Sequence, residues 1–154
     1  MKMFRVILAL VFILFWGGLG VAAEIDAALE KEISDVVKKY QQVFQEKNLD
    51  AIMEFFTEDA VLLGTGPGER YVGQEEIRNA YQYYFDSFDK EEGTVTWYQA
   101  GHQGSVVWVA GMSNINTYFK NKKTEFALNW TFVLEKKDGA WKIVQRHISN
   151  ISCE

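Results

Sequence analysis

Few side chains in this sequence have a type and setting that raise a chemical question. The sharpest case is the closing stretch DGAWKIVQRHIS, residues 138–149, where Arg146 and His147 sit side by side in a hydrophobic run. An imidazole can act as general acid or base near neutral pH, so His147 is a candidate catalytic residue. The competing account is a core histidine held by one hydrogen bond, because no carboxylate is fixed beside it by spacing. The other histidine, His102, sits in AGHQGS, which reads as a turn. The two histidines are 45 positions apart with no paired-ligand spacing, so no metal site is expected. GTGPGE lacks the Gly-Lys-Ser/Thr ending of a phosphate loop and reads as a turn. No Ser-His-Asp or Cys-His arrangement is present, and no cofactor is implied. Cys153 is the only cysteine and cannot pair within its own chain.

Aromatic side chains make up 15% of the chain. Most must be core. A cavity lined by some of them, with a few polar groups, would suit a flat apolar ligand. Trp97, Trp130, Phe132 and Gln145 form the candidate ligand-binding set. Tyr40 and His147 supply further polar contacts, with Asn129 and Arg146 as alternatives facing the other way.

These residues need elements to position them. From Glu24 to Glu46, Leu29, Ile33, Val36, Val37, Tyr40 and Phe44 recur at three- and four-residue steps, which predicts a long amphipathic helix. NLDAIMEFF predicts a second, short helix with Asn48 as N-cap. AVLLGTG predicts a short buried strand. GQEEIRNAYQYYFDSF predicts a third helix, with Glu75 and Glu76 at its positive end. The remainder, TVTWYQA, SVVWVAGMSNINTYF, KTEFALNWTFVLE and AWKIVQRHIS, is rich in β-branched and aromatic residues and predicts strands. Helices first and an antiparallel sheet last give an α+β fold.

Register decides which way His147 points. One face of EFALNWTFVL carries Phe126, Leu128, Trp130, Phe132 and Leu134. A two-residue Asp138-Gly139 turn sets Leu134 opposite Ile143 and Trp130 opposite His147. His147 then faces inward with Trp130, Phe132 and Gln145, and Arg146 faces outward. A bulge in the strand would reverse the two.

The first 23 residues stand apart. MKMFR is basic, residues 6–23 are uncharged, and Val21 and Ala23 are small residues at the spacing of a cleavage site. This predicts a secretory signal peptide, an exported protein in the periplasm or outside the cell, and a domain over residues 24–154. Membrane attachment follows only if the leader stays uncleaved. Taking Lys2 and Arg5 from the 16 basic residues leaves 14 against 21 acidic ones. That balance argues against a nucleic-acid partner, which needs clustered basic charge.

FFTEDAVLLGTGPGERYVGQEEIRNAY, followed by SVVWVAG and DGAWKIVQRHIS, resembles the SnoaL-like branch of the NTF2-like superfamily. The resemblance spans residues 27–150. It rests on the Phe-x-x-Asp-Ala phrase at Phe56–Ala60, on GTGPGE, and on the ending from Gly139 to Ser149. It implies a cone in which a strongly curved antiparallel sheet wraps the long first helix and leaves a pocket at the open end. It also implies a homodimer through the sheet's outer face. Functions in the superfamily run from isomerases and cyclases to binding modules, so fold does not give function. Ketosteroid isomerases place an aspartate base shortly after the Asp-Ala phrase, where this chain has Gly64 and Thr65. Tyr40 resembles their tyrosine donor. The expected function is binding of a small apolar or aromatic molecule in the cone. The alternatives are an isomerase, cyclase or hydratase using His147 and Tyr40, or a dimeric interaction module.

Overall fold

The computed structural model describes residues 25–151. The expected leader and Cys153 lie outside the described residues. The helix α1 runs Ala27–Gln45, α2 Leu49–Met53 and α3 Gly73–Asp86. The strands are β1 Phe56–Leu63, β2 Arg70–Val72, β3 Lys90–Gln103, β4 Val106–Phe119, β5 Lys122–Lys137 and β6 Ala140–Asn150. They form one strongly curved, unclosed sheet in the order β2-β1-β6-β5-β4-β3.

Local chemistry starts each helix. The Asp26 side chain accepts a hydrogen bond from Leu29 N at 2.8 Å and caps α1. Asn48 does the same for α2 through Ala51 N at 3.1 Å. At α3 no side chain caps from Val72, but Glu76 Oε2 accepts from the Val72 N–H at 2.7 Å.

Two-residue turns join the long strands. Lys120-Asn121 and Asp138-Gly139 both have positive φ at each residue, the type I′ pattern that matches strand twist. Gly139, at φ 80°, is free of the steric cost that a side chain would meet there.

The sheet is mixed rather than wholly antiparallel, because β1 runs parallel to β6. The crossover from β1 to β6 carries all the intervening elements, so parallel pairing needs no tight turn. β3 also begins at Lys90, earlier than the β-rich stretch from Thr94 suggests, because its polar first residues pair with Asn116, Thr117 and Tyr118 of β4.

The core lies between the helices and the concave face. Ile33 and Val37 of α1, Ile77 and Tyr81 of α3, Leu62 of β1, and Val107, Leu134 and Ile143 of the sheet are all buried. Burying one such aliphatic side chain contributes about 1.5–3 kcal/mol.

The last hairpin follows the expected register only as far as Leu134–Ile143. Val144 then has no partner on β5, and Val133 pairs with Gln145. β6 shifts against β1 at the same place, where Ile143 N donates to Phe55 O at 2.6 Å. Val144 is a bulge, the device that inverts side-chain parity along a strand. Beyond it Phe132 pairs with Arg146, Thr131 with His147 and Trp130 with Ile148.

Candidate functional site

The open side of the curved sheet holds a cavity of about 590 Å³. Its walls are aromatic and aliphatic: Phe44 of α1, Phe88 after α3, Leu128, Trp130 and Phe132 of β5, and Ile148 of β6. Trp130 is seated by its neighbours. A Cβ on Gly111 would stand 2.2 Å from the indole ring, so only glycine lets the ring lie across β4. The indole Nε1–H then donates to Ser113 Oγ at 2.8 Å.

One cation reaches the cavity. The bulge at Val144 turns Arg146 inward, where the residue is 9% exposed. Its guanidinium stands 4.8 Å from the Tyr40 ring centroid and 5.5 Å from that of Phe132. Such cation–π contacts offset part of the cost of burying charge. Nη1 donates to Tyr81 Oη at 2.6 Å. Nε has no hydrogen-bond partner among the described residues. No ion pair among the described residues includes Arg146.

Tyr81 and Tyr40 share a hydrogen bond. Tyr81 is fully buried and accepts from Arg146, and either phenol can be the donor in its bond to Tyr40. Tyr40 also lines the cavity. Burial holds both phenols above their ordinary pKa, so they stay protonated donors.

Glu91, on the first turn of β3's pairing with β4, is the other ionisable group of note on the cavity wall. Burial pushes its carboxyl up to about 7, against the downward pull of Arg146. Tyr84 Oη is buried without a partner, and burial raises its pKa as well.

The SnoaL-like domain matches residues 33–153. The chain belongs to this family. Among curated proteins no sequence relative is found. Solved NTF2-like structures match the SnoaL-like chain closely in shape. A Novosphingobium aromaticivorans protein proposed to be an aromatic ring hydroxylase is 19% identical, with TM-score 0.76, over 84% of this chain and 94% of its own. A Xanthomonas campestris protein proposed to be a calcium/calmodulin dependent protein kinase II association domain is 25% identical. Its TM-score is 0.72, over 84% of this chain and 93% of its own. A Catenulispora acidiphila protein in complex with S-DNPA is 18% identical, with TM-score 0.73, over 81% and 95%.

The SnoaL-like domain brings together only part of the residue set expected from sequence. Tyr40, Trp130 and Phe132 line the cavity. His147 does not: it lies opposite Thr131 and beside Leu63 on the convex face, because the bulge at Val144 inverts the strand. Gln145 goes outward with it, opposite Val133. Trp97 is 50% exposed and pairs with Met112 on the same outer face. Gly64 carries no ionisable group, and a Cβ there would stand 2.1 Å from Glu69 Oε2 and 2.9 Å from Tyr84 Oη, so an aspartate would need those side chains to move.

Sequence reasoning missed Glu91, Tyr81 and Tyr84 as polar groups of the site. Glu91 sits in DKEEG, which looks like a solvated turn. The available signal was the alternation of β4, which places Thr117 on the face of Ser113 and Ile115, so its partner Glu91 shares that face.

Proposed function

We propose that this protein binds a small apolar or aromatic molecule in the cone between its first and third helices and the sheet. The observation that carries this is the open cavity of about 590 Å³, walled by Phe44, Phe88, Leu128, Trp130, Phe132 and Ile148. Its size and lining are those of a ligand pocket. The relative solved with S-DNPA and the relative proposed to be an aromatic ring hydroxylase support it. Native mass spectrometry of protein purified from its own source tests this, together with thermal stabilisation by a library of apolar and aromatic molecules. Retained mass or stabilisation is the expected outcome. Absence of both refutes it.

A second proposal is an isomerase, cyclase or hydratase acting in the same cavity. It is favoured by Glu91, a carboxyl held at about 7 in a cavity that also presents the Tyr40 hydroxyl. A base poised near neutral pH and a protonated donor are the two parts that proton transfer beside a carbonyl needs. Here Glu91 takes the acid–base role expected of His147. Glu91→Gln should cut turnover of any discovered substrate by about 100-fold or more with binding retained. Unchanged turnover would remove Glu91 from the mechanism.

Export and homodimerisation belong to the same proposal. The basic start, the uncharged run and the small residues before Glu24 support export. Trp97, Trp108 and Met112 are exposed large hydrophobics on the convex face of β3 and β4 and support pairing there. Light scattering of the wild type and of Trp97→Glu tests it. A dimer that the substitution splits is expected, and a wild-type monomer would refute it.

A further inference from the structure

We propose that the ligand of this cavity carries a single negative charge of the carboxylate class, received by Arg146 at the cavity's wall. This rests on the binding function proposed above and names the chemistry of the ligand's head.

Burying an arginine carries a desolvation penalty that a chain normally offsets with a carboxylate partner. Arg146 has none within its own fold: no ion pair among the described residues includes it. Its contacts are one phenol oxygen and three aromatic faces, and Nε is unpartnered. The residue is over nine-tenths buried, yet it lines the cavity. A planar guanidinium with open donor positions fits an oxyanion in a side-on, two-bond geometry.

The other polar groups of the wall point the same way. Tyr40 and Tyr84 both line the cavity, and Tyr84 Oη has no hydrogen-bond partner among the described residues. A neutral apolar guest would leave the guanidinium without an ion-pair partner and the Tyr84 hydroxyl idle. The count of charges limits the guest to one negative charge. Among the lining residues Arg146 is the one cation and Glu91 the one carboxylate, and no lysine or histidine lines the cavity. A dianionic phosphate would meet a single cation and a competing acid. A monoanion on an aromatic or aliphatic body matches both the charge and the walls.

Isothermal titration with matched probes tests this at about pH 6: 2-naphthoate against 2-naphthamide, decanoate against decanamide, and indole-3-acetate against indole-3-acetamide. In at least one pair the carboxylate should bind about tenfold or more tightly than its amide, the worth of a charge-assisted hydrogen bond. Naphthyl phosphate should bind more weakly than 2-naphthoate. Arg146→Met should lose the preference for the acid and keep affinity for the amide, and Arg146→Lys should keep the preference in part. Circular dichroism verifies that both variants fold. The wild-type pairs alone decide the matter if the Met variant does not fold. Amides binding as tightly as acids in every pair would overturn the carboxylate head and leave the apolar pocket standing. Tighter binding of naphthyl phosphate would overturn the single charge. No binding of any probe, charged or neutral, would overturn both the head and the pocket.

Discussion

Replacing Glu91 by glutamine isolates the electrostatics of the cavity wall in one measurable quantity. Burial lifts this carboxyl from an ordinary 4.5 to about 7, with the attraction of Arg146 already pulling against the rise. A difference of that size corresponds to about 3 kcal/mol between the two protonation states. In the unfolded chain the group titrates near its ordinary value. Between about pH 4.5 and 7 the native state therefore holds a proton that the unfolded state has released. Stability contributed by this group is present at low pH, falls as pH rises through that window, and is fully lost above the folded value. Glutamine keeps the shape of the protonated acid and never ionises. Glu91→Gln should thus match the wild type near pH 4 and exceed it by about 3 kcal/mol near pH 8. Urea unfolding followed by tryptophan fluorescence at a series of pH values reads the difference directly. A difference that stays constant across the series would refute the claim that Glu91 is held protonated by burial.

Gly111→Ala puts a methyl where the Trp130 ring lies at 2.2 Å, so the ring must move and its bond to Ser113 must break. The expected loss is about 2–4 kcal/mol by thermal unfolding, and a change within about 0.5 kcal/mol would refute the contact. Tyr81→Phe removes the hydroxyl that accepts from Arg146 and bonds Tyr40, and leaves two buried groups short of a partner. It should cost about 2–3 kcal/mol in urea midpoint analysis, and a neutral result would mean that the network contributes nothing. Asn48→Ala removes the cap on Ala51 N and should cost about 1 kcal/mol, with an unchanged melting temperature as the refuting result.

Much of the fold is legible in the sequence because it depends on neighbours in the chain. The stripe of Ile33, Val37 and Tyr40, the Asn48 cap and the Asp138-Gly139 turn are local, and the structure contains each of them. The parallel pairing of β1 with β6 joins segments some 80 residues apart and leaves no mark in either segment. The site is less legible for the same reason. Trp130 and Phe132 follow from alternation along one strand. Arg146 reaches the cavity only because Val144 has no partner, and that is decided where β6 meets both β1 and β5. Glu91 belongs to a polar run whose burial comes from the facing strand and the first helix, which holds the next turn of β3 through Gln41 Nε2 to Gly93 O at 2.5 Å. Alternation predicts a face, but it does not predict where a strand loses count.

That miscount makes the final strand a reading frame. Arg146 and His147 are adjacent, so a one-residue shift in pairing upstream exchanges which of them the cavity meets. With Val144 in place, the frame presents a permanent cation. With Val144 instead paired to Val133 and Leu134–Ile143 retained, Phe132 would face Gln145 and Trp130 would face His147. The scaffold would be the same and its chemistry would change from fixed charge to a titratable imidazole. A fold built this way can acquire a new reactive group by closing one bulge, without any substitution among the residues that hold the cone together.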